Sequence, residues 1–217
     1  MIRFPILAAL MLLGLTAAGP VDQGRPVPGM VRVRIVTSEG NITLALDARR
    51  APKTTTNFMR YVDDGRFEDT RFYRAARRTS DPKLGFVQGG IGTEARRMLD
   101  PLPLEPTSTT GLKHVDGAVS MAHGANPNSG NGNFSIMIGA NPSLDARPGN
   151  PGYAAFGRVI AGMDVARRIL AKPSGGGDGA MRGQMILKPV TIIRVERLDG
   201  TPQPTGRFKA WKAFKLK

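Results

Sequence analysis

The chain has no cysteine, only two histidines, one tryptophan and three tyrosines in 217 residues, and each scarcity closes off some chemistry. Without cysteine there is no disulfide framework, no thiolate nucleophile and no cysteine for a lipid to join. His114 and His123 match no common zinc spacing, so neither a metal nor any other cofactor is expected. A Ser-His-acid triad through Ser120 and His123 can be drawn, but neither residue lies in a nucleophile elbow, and both histidines read as loop residues. Acid is in short supply, 17 Asp and Glu against 31 Lys and Arg, for a net charge of +14. The arginines are scattered instead of gathered into a stripe, which argues against a nucleic-acid partner. No segment repeats at a fixed period. Gly175 to Gly179 is glycine-rich but lacks the Lys-Ser/Thr of a phosphate loop and follows a helical pattern, so it reads as a solvent loop.

Long apolar runs are absent apart from Phe4 to Leu15, which falls short of the ~20 residues that span a bilayer. The basic start Met1-Ile2-Arg3 before it and the small residues Thr16-Ala17-Ala18 after it predict a signal peptide over 1–18, with an uncleaved membrane anchor as the alternative. Export to the periplasm or beyond is the corresponding expectation. Residues 19–29, rich in Pro and Gly, read as a flexible lead, 30–199 as one domain, and 200–217 as a basic aromatic tail.

What is plentiful is turn-forming residues: 27 Gly and 17 Pro suit short strands better than a helical bundle. Val31, Val33 and Ile35 alternate with polar neighbours, and Ser38-Glu39-Gly40-Asn41 turns the chain into Ile42, Leu44 and Leu46, a hairpin. Pro52 opens a helix that Gly65 ends, and a second helix starts near Met163 and stops before Pro173. Strands are predicted at Thr70 to Ala75, Phe86 to Gln88, Gly117 to Met121, Phe134 to Ile138, Tyr153 to Ile160 and Val190 to Leu198. Many strands and two helices in one domain predict a mainly β fold, a closed barrel with capping helices. In the tail, Arg207, Lys209, Lys212, Lys215 and Lys217 interleave with Phe208, Trp211, Phe214 and Leu216, with no acid after Asp199. This segment reads either as a solvated, frayed end or as a weak contact with an anionic membrane surface or an acidic client protein.

Taken alone, an arginine on a strand of a basic protein is usually a solvated charge. Arg74 follows two aromatics, in Phe72-Tyr73-Arg74, and is followed in turn by Gln88-Gly89-Gly90. With Ala51-Pro52-Lys53-Thr54 through Asn57-Phe58, Gly117-Ala118-Val119-Ser120-Met121-Ala122, Leu144, Phe156-Gly157-Arg158-Val159 and Gly162-Met163-Asp164-Val165-Ala166, these motifs appear in the order of the cyclophilin family of peptidyl-prolyl isomerases, which the chain resembles from about Val31 to Leu198. The resemblance implies an eight-stranded antiparallel barrel with a helix at each end. It also implies catalysis of Xaa-Pro rotation without a cofactor on proline-containing unfolded proteins, newly exported ones if the signal peptide acts; a monomer is the accompanying expectation. On this reading Arg74 and Gln88 are catalytic, while Phe86, His123, Asn133, Ser135, Leu144 and Tyr153 bind substrate.

The chain departs from the family around the proline pocket. Arg74 and Gln88 are fourteen residues apart, where the family usually has eight, so extra sequence within Ala75 to Leu84 is expected to bulge beside the site. Gly85 stands where a pocket aromatic belongs, with Phe86 one position later. Ser135 replaces a second aromatic, Asn133 a common Gln, and His123 a frequent Asn. Phe134 reads as core. A shallower proline pocket is expected, and a barrel that binds proline segments with little turnover is the alternative function.

Overall fold

The structure is a computed structural model and describes residues 27–213; the signal peptide expected at 1–18, most of the 19–29 lead, and residues 214–217 lie outside the described residues. The opening hairpin joins β1 (Met30–Thr37) to β2 (Gly40–Asp47). Its alternation sends Val33, Ile35, Ile42, Leu44 and Leu46 inward, all at 0% exposure. Helix α1 (Pro52–Asp63) has Pro at its start, where the missing N–H costs nothing. The neighbouring free N–H groups are satisfied from afar: Lys53 and Thr54 donate their backbone N–H to Glu105 Oε1 and Oε2 at 3.1 and 2.7 Å. A carboxylate at a helix N-terminus is also favoured by the helix dipole.

The remaining elements are β3 (Thr70–Arg77), β4 (Gly85–Gly90), a one-turn α2 (Thr107–Thr110), β5 (Ala118–Met121), β6 (Asn133–Ile138), β7 (Ala154–Ala161), α3 (Met163–Leu170), a two-residue β8 (Ser174–Gly175), β9 (Met185–Arg197) and a short α4 (Ala210–Ala213). The strand order is β1-β2-β7-β5-β6-β4-β3-β9, closed by pairing of β9 with β1, so eight antiparallel strands form the predicted barrel and β8 adds only to the outer end of β9. Closure removes the free edges that an open sheet would expose. Inside, Phe58 of α1 meets Phe67, Phe134 and Phe156 at ring-centroid distances of 5.0, 5.3 and 5.4 Å, and Phe134 meets Phe72 at 5.7 Å. Phe134 is the core residue its position predicts. Helix α3 buries Val165, Ala166, Ile169 and Leu170 and contacts β2, β3, β4 and β6.

Three expectations are corrected. The extra residues between Arg74 and Gln88 lengthen the β3-β4 hairpin, which pairs Ala75 with Val87, Ala76 with Phe86 and Arg77 with Gly85, and so move the connecting loop, residues 78–84, to the far end of the ladder instead of beside Arg74. Ladder hydrogen bonds hold the added rungs, and the loop is closed by Arg78 N–H to the Leu84 carbonyl at 3.0 Å and Leu84 N–H to the Asp81 carbonyl at 3.0 Å. The last strand starts at Met185, not Val190, and carries Pro189 within it. It tolerates a residue without an N–H because its pairing with β3 jumps there, from Phe72–Val190 to Arg74–Met185.

The third correction is the tail, which up to residue 213 is neither frayed nor free. Thr205 donates its backbone N–H and Oγ1 to the two oxygens of Asp64 at 2.7 and 2.6 Å, and Gln203 N–H donates to Asp63. Trp211 is 3% exposed, with the Arg66 and Arg97 guanidiniums 4.7 and 5.4 Å from its ring centre. Arg207 and Lys212 are paired with Asp100 and Glu68. The indole is therefore inside the protein, and the segment after residue 199 packs onto the domain up to residue 213.

Candidate active site

Five residues on four strand pairings form a row across the outer face of the barrel: Arg74 opposite Gln88, Gln88 opposite Ser135, Ser135 opposite Ser120, and Ser120 opposite Ala155. Alternation explains most of it, because Val87, Phe134 and Val119, next in sequence to members of the row, point into the core. Arg74 needs more. In a regular strand it would share the face of Phe72, which is fully buried. A bulge at Tyr73 sets two residues of β3 against one step of β4, so that Phe72 faces Gly89 and Arg74 faces Gln88. That extra residue turns the guanidinium outward.

Arg74 is then held on several sides. Nη1 donates to Gln88 Oε1 at 3.0 Å, Nε to Gln184 Oε1 at 2.8 Å, and Nη2 to the carbonyl of Ala180 at 3.2 Å. The Phe86 ring lies beneath, 5.0 Å from the guanidinium carbon. Phe86 and Gln88 share a face, two residues apart. Gly85 has φ +141°, and a Cβ there would sit 2.0 Å from the Ala76 carbonyl, so no side chain fits at that position. Phe86 is the aromatic that reaches the site. Burial pulls the Arg74 pKa below the usual arginine value, and its hydrogen-bond partners among the described residues are all neutral, so the charge is not cancelled locally. Burial pushes the neighbouring Tyr73 phenol up to about 12, so it stays protonated and donates to Asn133 Oδ1 at 3.1 Å.

Next to this cluster runs a groove of about 640 Å³ lined by Tyr73, Gln88, Asn133, His123, Met181 and Met185, among others. A larger groove of about 820 Å³ lies over β1, β2 and β7 near Met30, Ala45 and Ile160 and includes none of the expected site residues. Of those residues, Asn133 has its amide fully committed: it accepts from Gly92 N–H at 2.8 Å and donates to Gly92 O and Asn131 Oδ1 at 2.9 and 3.2 Å. It shapes the groove wall. His123 stacks on Tyr153, ring centres 4.2 Å apart at 18°. Tyr153 N–H donates to the Leu144 carbonyl at 2.9 Å, which ties these two residues together beside the row. Ser135, 7% exposed, lies in the row between Gln88 and Ser120.

The triad drawn through His123 does not exist; a different one does. His114, 1% exposed, is neutral at neutral pH: its Nδ1–H donates to Asp145 Oδ1 at 2.7 Å, and its Nε2 accepts from Ser120 Oγ at 2.9 Å. Asp145 fixes this tautomer, and burial pulls the His114 pKa below its ordinary value, the carboxylate only partly opposing it. Ser120 is 2% exposed, which leaves no room for a carbonyl to be attacked. The unit instead clasps β5 to the segment carrying Leu144. Among the described residues, no three His, Asp or Glu side chains are grouped to hold a metal.

Sequence reasoning missed Gln184, Ala180, Met181 and Met185, because it read Gly175–Gly179 as a solvent loop. The signal was present only in the count of glycines: Gly177 has φ +75°, and a Cβ there would lie 2.5 Å from the Met181 carbonyl. Such a turn folds back on itself and carries residues 180–185 to the site.

A family model described as cyclophilin type peptidyl-prolyl cis-trans isomerase matches residues 32–197. The chain belongs to this family. It is thus an enzyme of the peptidyl-prolyl cis-trans isomerase class, as are the relatives it matches by name. Peptidyl-prolyl cis-trans isomerase A of Dickeya dadantii is 34% identical over 165 residues, covering 76% of this chain and 83% of that one. The isomerase cyp18 of Streptomyces antibioticus is 34% identical over 167 residues, covering 75% and 96%. A solved cyclophilin-type isomerase of Cryptosporidium parvum shares the fold at a TM-score of 0.61 and 23% identity, covering 79% of this chain and 99% of that one.

Proposed function

We propose that this enzyme accelerates Xaa-Pro rotation by presenting the Arg74 guanidinium to the prolyl nitrogen, with Gln88 steadying the arginine and bonding the substrate backbone. The obstacle to rotation is the partial double bond of the peptide, a barrier of ~18–20 kcal/mol. As the bond twists, the nitrogen lone pair leaves conjugation and becomes a hydrogen-bond acceptor. A donor waiting there favours the twisted state over both planar ones. A rate gain of about 10⁵ requires only ~7 kcal/mol of such preference, within reach of one half-buried charge that is already oriented. The observation that carries this reading is the Arg74 guanidinium itself, aimed out of the barrel above Phe86 and held by neutral partners.

On this mechanism the Phe86 ring and Leu144 are the apolar surfaces for the proline ring, and Ser135, standing in place of a second aromatic, makes the site shallow. That shallowness favours a second reading, a module that holds proline segments with slow turnover. The two separate in an assay of proline tetrapeptide isomerisation with Arg74→Ala. A loss of about 100-fold in kcat/KM is expected; a variant as fast as the parent sinks the arginine mechanism, and a parent no faster than buffer leaves the binding module. Substrates are proline-containing unfolded or newly exported proteins, on the strength of the signal peptide expected at 1–18. A mature N-terminus near Gly19 on protein recovered outside the cytoplasm is the expected result, and retention of Met1 in the cytoplasm removes this part.

A further inference from the structure

We infer that Gln184, on the loop between β8 and β9, is a positioning residue for Arg74 and that its neutrality is part of the design; the inference rests on the arginine mechanism proposed above. Gln88 holds only one edge of the guanidinium, through Nη1. An arginine side chain has enough rotatable bonds that one contact leaves it free to swing away from a nitrogen that must be met to within a few tenths of an ångström. Gln184 Oε1 takes the Nε–H at 2.8 Å and the Ala180 carbonyl takes Nη2 at 3.2 Å, which fixes the opposite edge.

The loop that supplies both acceptors is itself anchored to β3. Ala75 N–H donates to the Gln184 carbonyl at 2.9 Å, so the backbone of Gln184 is clamped beside the residue that follows Arg74. Arg77, further along the same strand, donates Nε to the Leu170 carbonyl at 2.8 Å and Nη1 to Ser174 Oγ at 3.1 Å, and also reaches the Lys172 carbonyl. Ser174 Oγ in turn donates to the Gly183 carbonyl at 3.0 Å. Strand β3 thus carries the arginine and grips the loop that orients it.

A carboxylate at 184 would make a stronger bond to Arg74, yet it would cancel the charge that the twisted peptide is to meet. An amide oxygen orients the guanidinium and leaves its charge intact. Gln184→Ala is therefore expected to lower kcat about tenfold with KM within twofold, and Gln184→Glu is expected to restore the contact without restoring kcat.

The deciding measurements are steady-state isomerisation by the Gln184→Ala, Gln184→Glu, Arg74→Ala and Arg74→Ala/Gln184→Ala proteins, with the Arg74 Nε–H resonance followed by NMR. Support consists of a kcat loss in Gln184→Ala that disappears in the Arg74→Ala background, together with a shifted and faster-exchanging Nε–H. The inference is overturned by a Gln184→Ala kcat within twofold of the parent, by the same loss with and without Arg74, by a Gln184→Glu protein as fast as the parent, or by an unchanged Nε–H resonance. If Arg74→Ala alone keeps full activity, the arginine mechanism falls and this inference with it. If Arg74→Ala is slow while Gln184→Ala is not, only the inference falls.

Discussion

Arg74 donates through Nη1 to Gln88 Oε1 across 3.0 Å, from directly opposed positions on β3 and β4, fourteen residues apart in the chain and joined by a lengthened hairpin. Because the strand ladder sets this distance, the pair survives the insertion between its members. Gln88→Ala removes one of three restraints on Arg74 and, on the proposed mechanism, a donor for the substrate backbone, without touching the core. The expected outcome is a fall of about tenfold in kcat/KM, equivalent to ~1.4 kcal/mol, with unchanged melting temperature. An isomerisation assay returning parental kcat/KM would show that the remaining contacts position the arginine without Gln88.

The docked tail leads to a stability prediction. Trp211 covers the buried pair formed by Arg66 Nε and Asp64 Oδ2, 2.7 Å apart at 2% and 0% exposure. Its own Nε1 finds no hydrogen-bond partner among the described residues, so ring packing and the two guanidiniums carry the contact. Trp211→Ala opens a cavity and wets an ion pair that folding had sealed. About 3 kcal/mol of stability should be lost, read as a drop of roughly 6–12 °C in the melting temperature. Calorimetry showing a shift of less than 2 °C would mean the tail merely rests on the surface.

Acid should weaken the protein through His114 before it reaches the carboxylates. Burial lowers the folded-state pKa of His114 below its ordinary 6.5. Between those two values the unfolded chain binds a proton that the folded chain refuses, so this contribution is complete above 6.5 and is lost as pH falls toward the lowered value. Asp199 behaves differently: its hydrogen bond from Arg32 lowers its pKa below 3.8, and its contribution is lost only as pH falls below that figure. His114→Gln should be less stable at pH 7 by about 1–3 kcal/mol, from unmet partners in Ser120 and Asp145. Urea midpoints at pH 7 and pH 5 should differ less for this variant than for the parent; equal differences would place the acid sensitivity elsewhere.

Much of the fold was legible in the chain because its signals are local. Alternating Val33 and Ile35, Pro52 at a helix start and Gly65 after its end each act within a few residues, and the barrel follows from pairing such strands. Arg74 and Gln88 were singled out by the motifs around them, and the structure sets the two opposite each other. Gln184 was not: its meaning depends on a loop folding back against β3 from more than a hundred residues away. Neither was the His114–Asp145 contact, made between residues 31 apart in the chain with β5 and β6 between them. The tail misled for the opposite reason. Its basic and aromatic composition looks like a surface segment, and the acids that receive it, Asp63, Asp64, Glu68 and Asp100, belong to α1 and the loops around it.

By itself the sequence determined the class of fold, because hydrophobic period and turn chemistry are written in neighbouring residues, and its motifs carried the resemblance to the family and singled out Arg74. Tertiary structure alone decided how that arginine is aimed. A bulge at Tyr73 turns it outward, Gln88 reaches it across a strand pair, and Gln184 meets its far edge from a loop, three constraints that exist only once distant parts of the chain have closed the barrel.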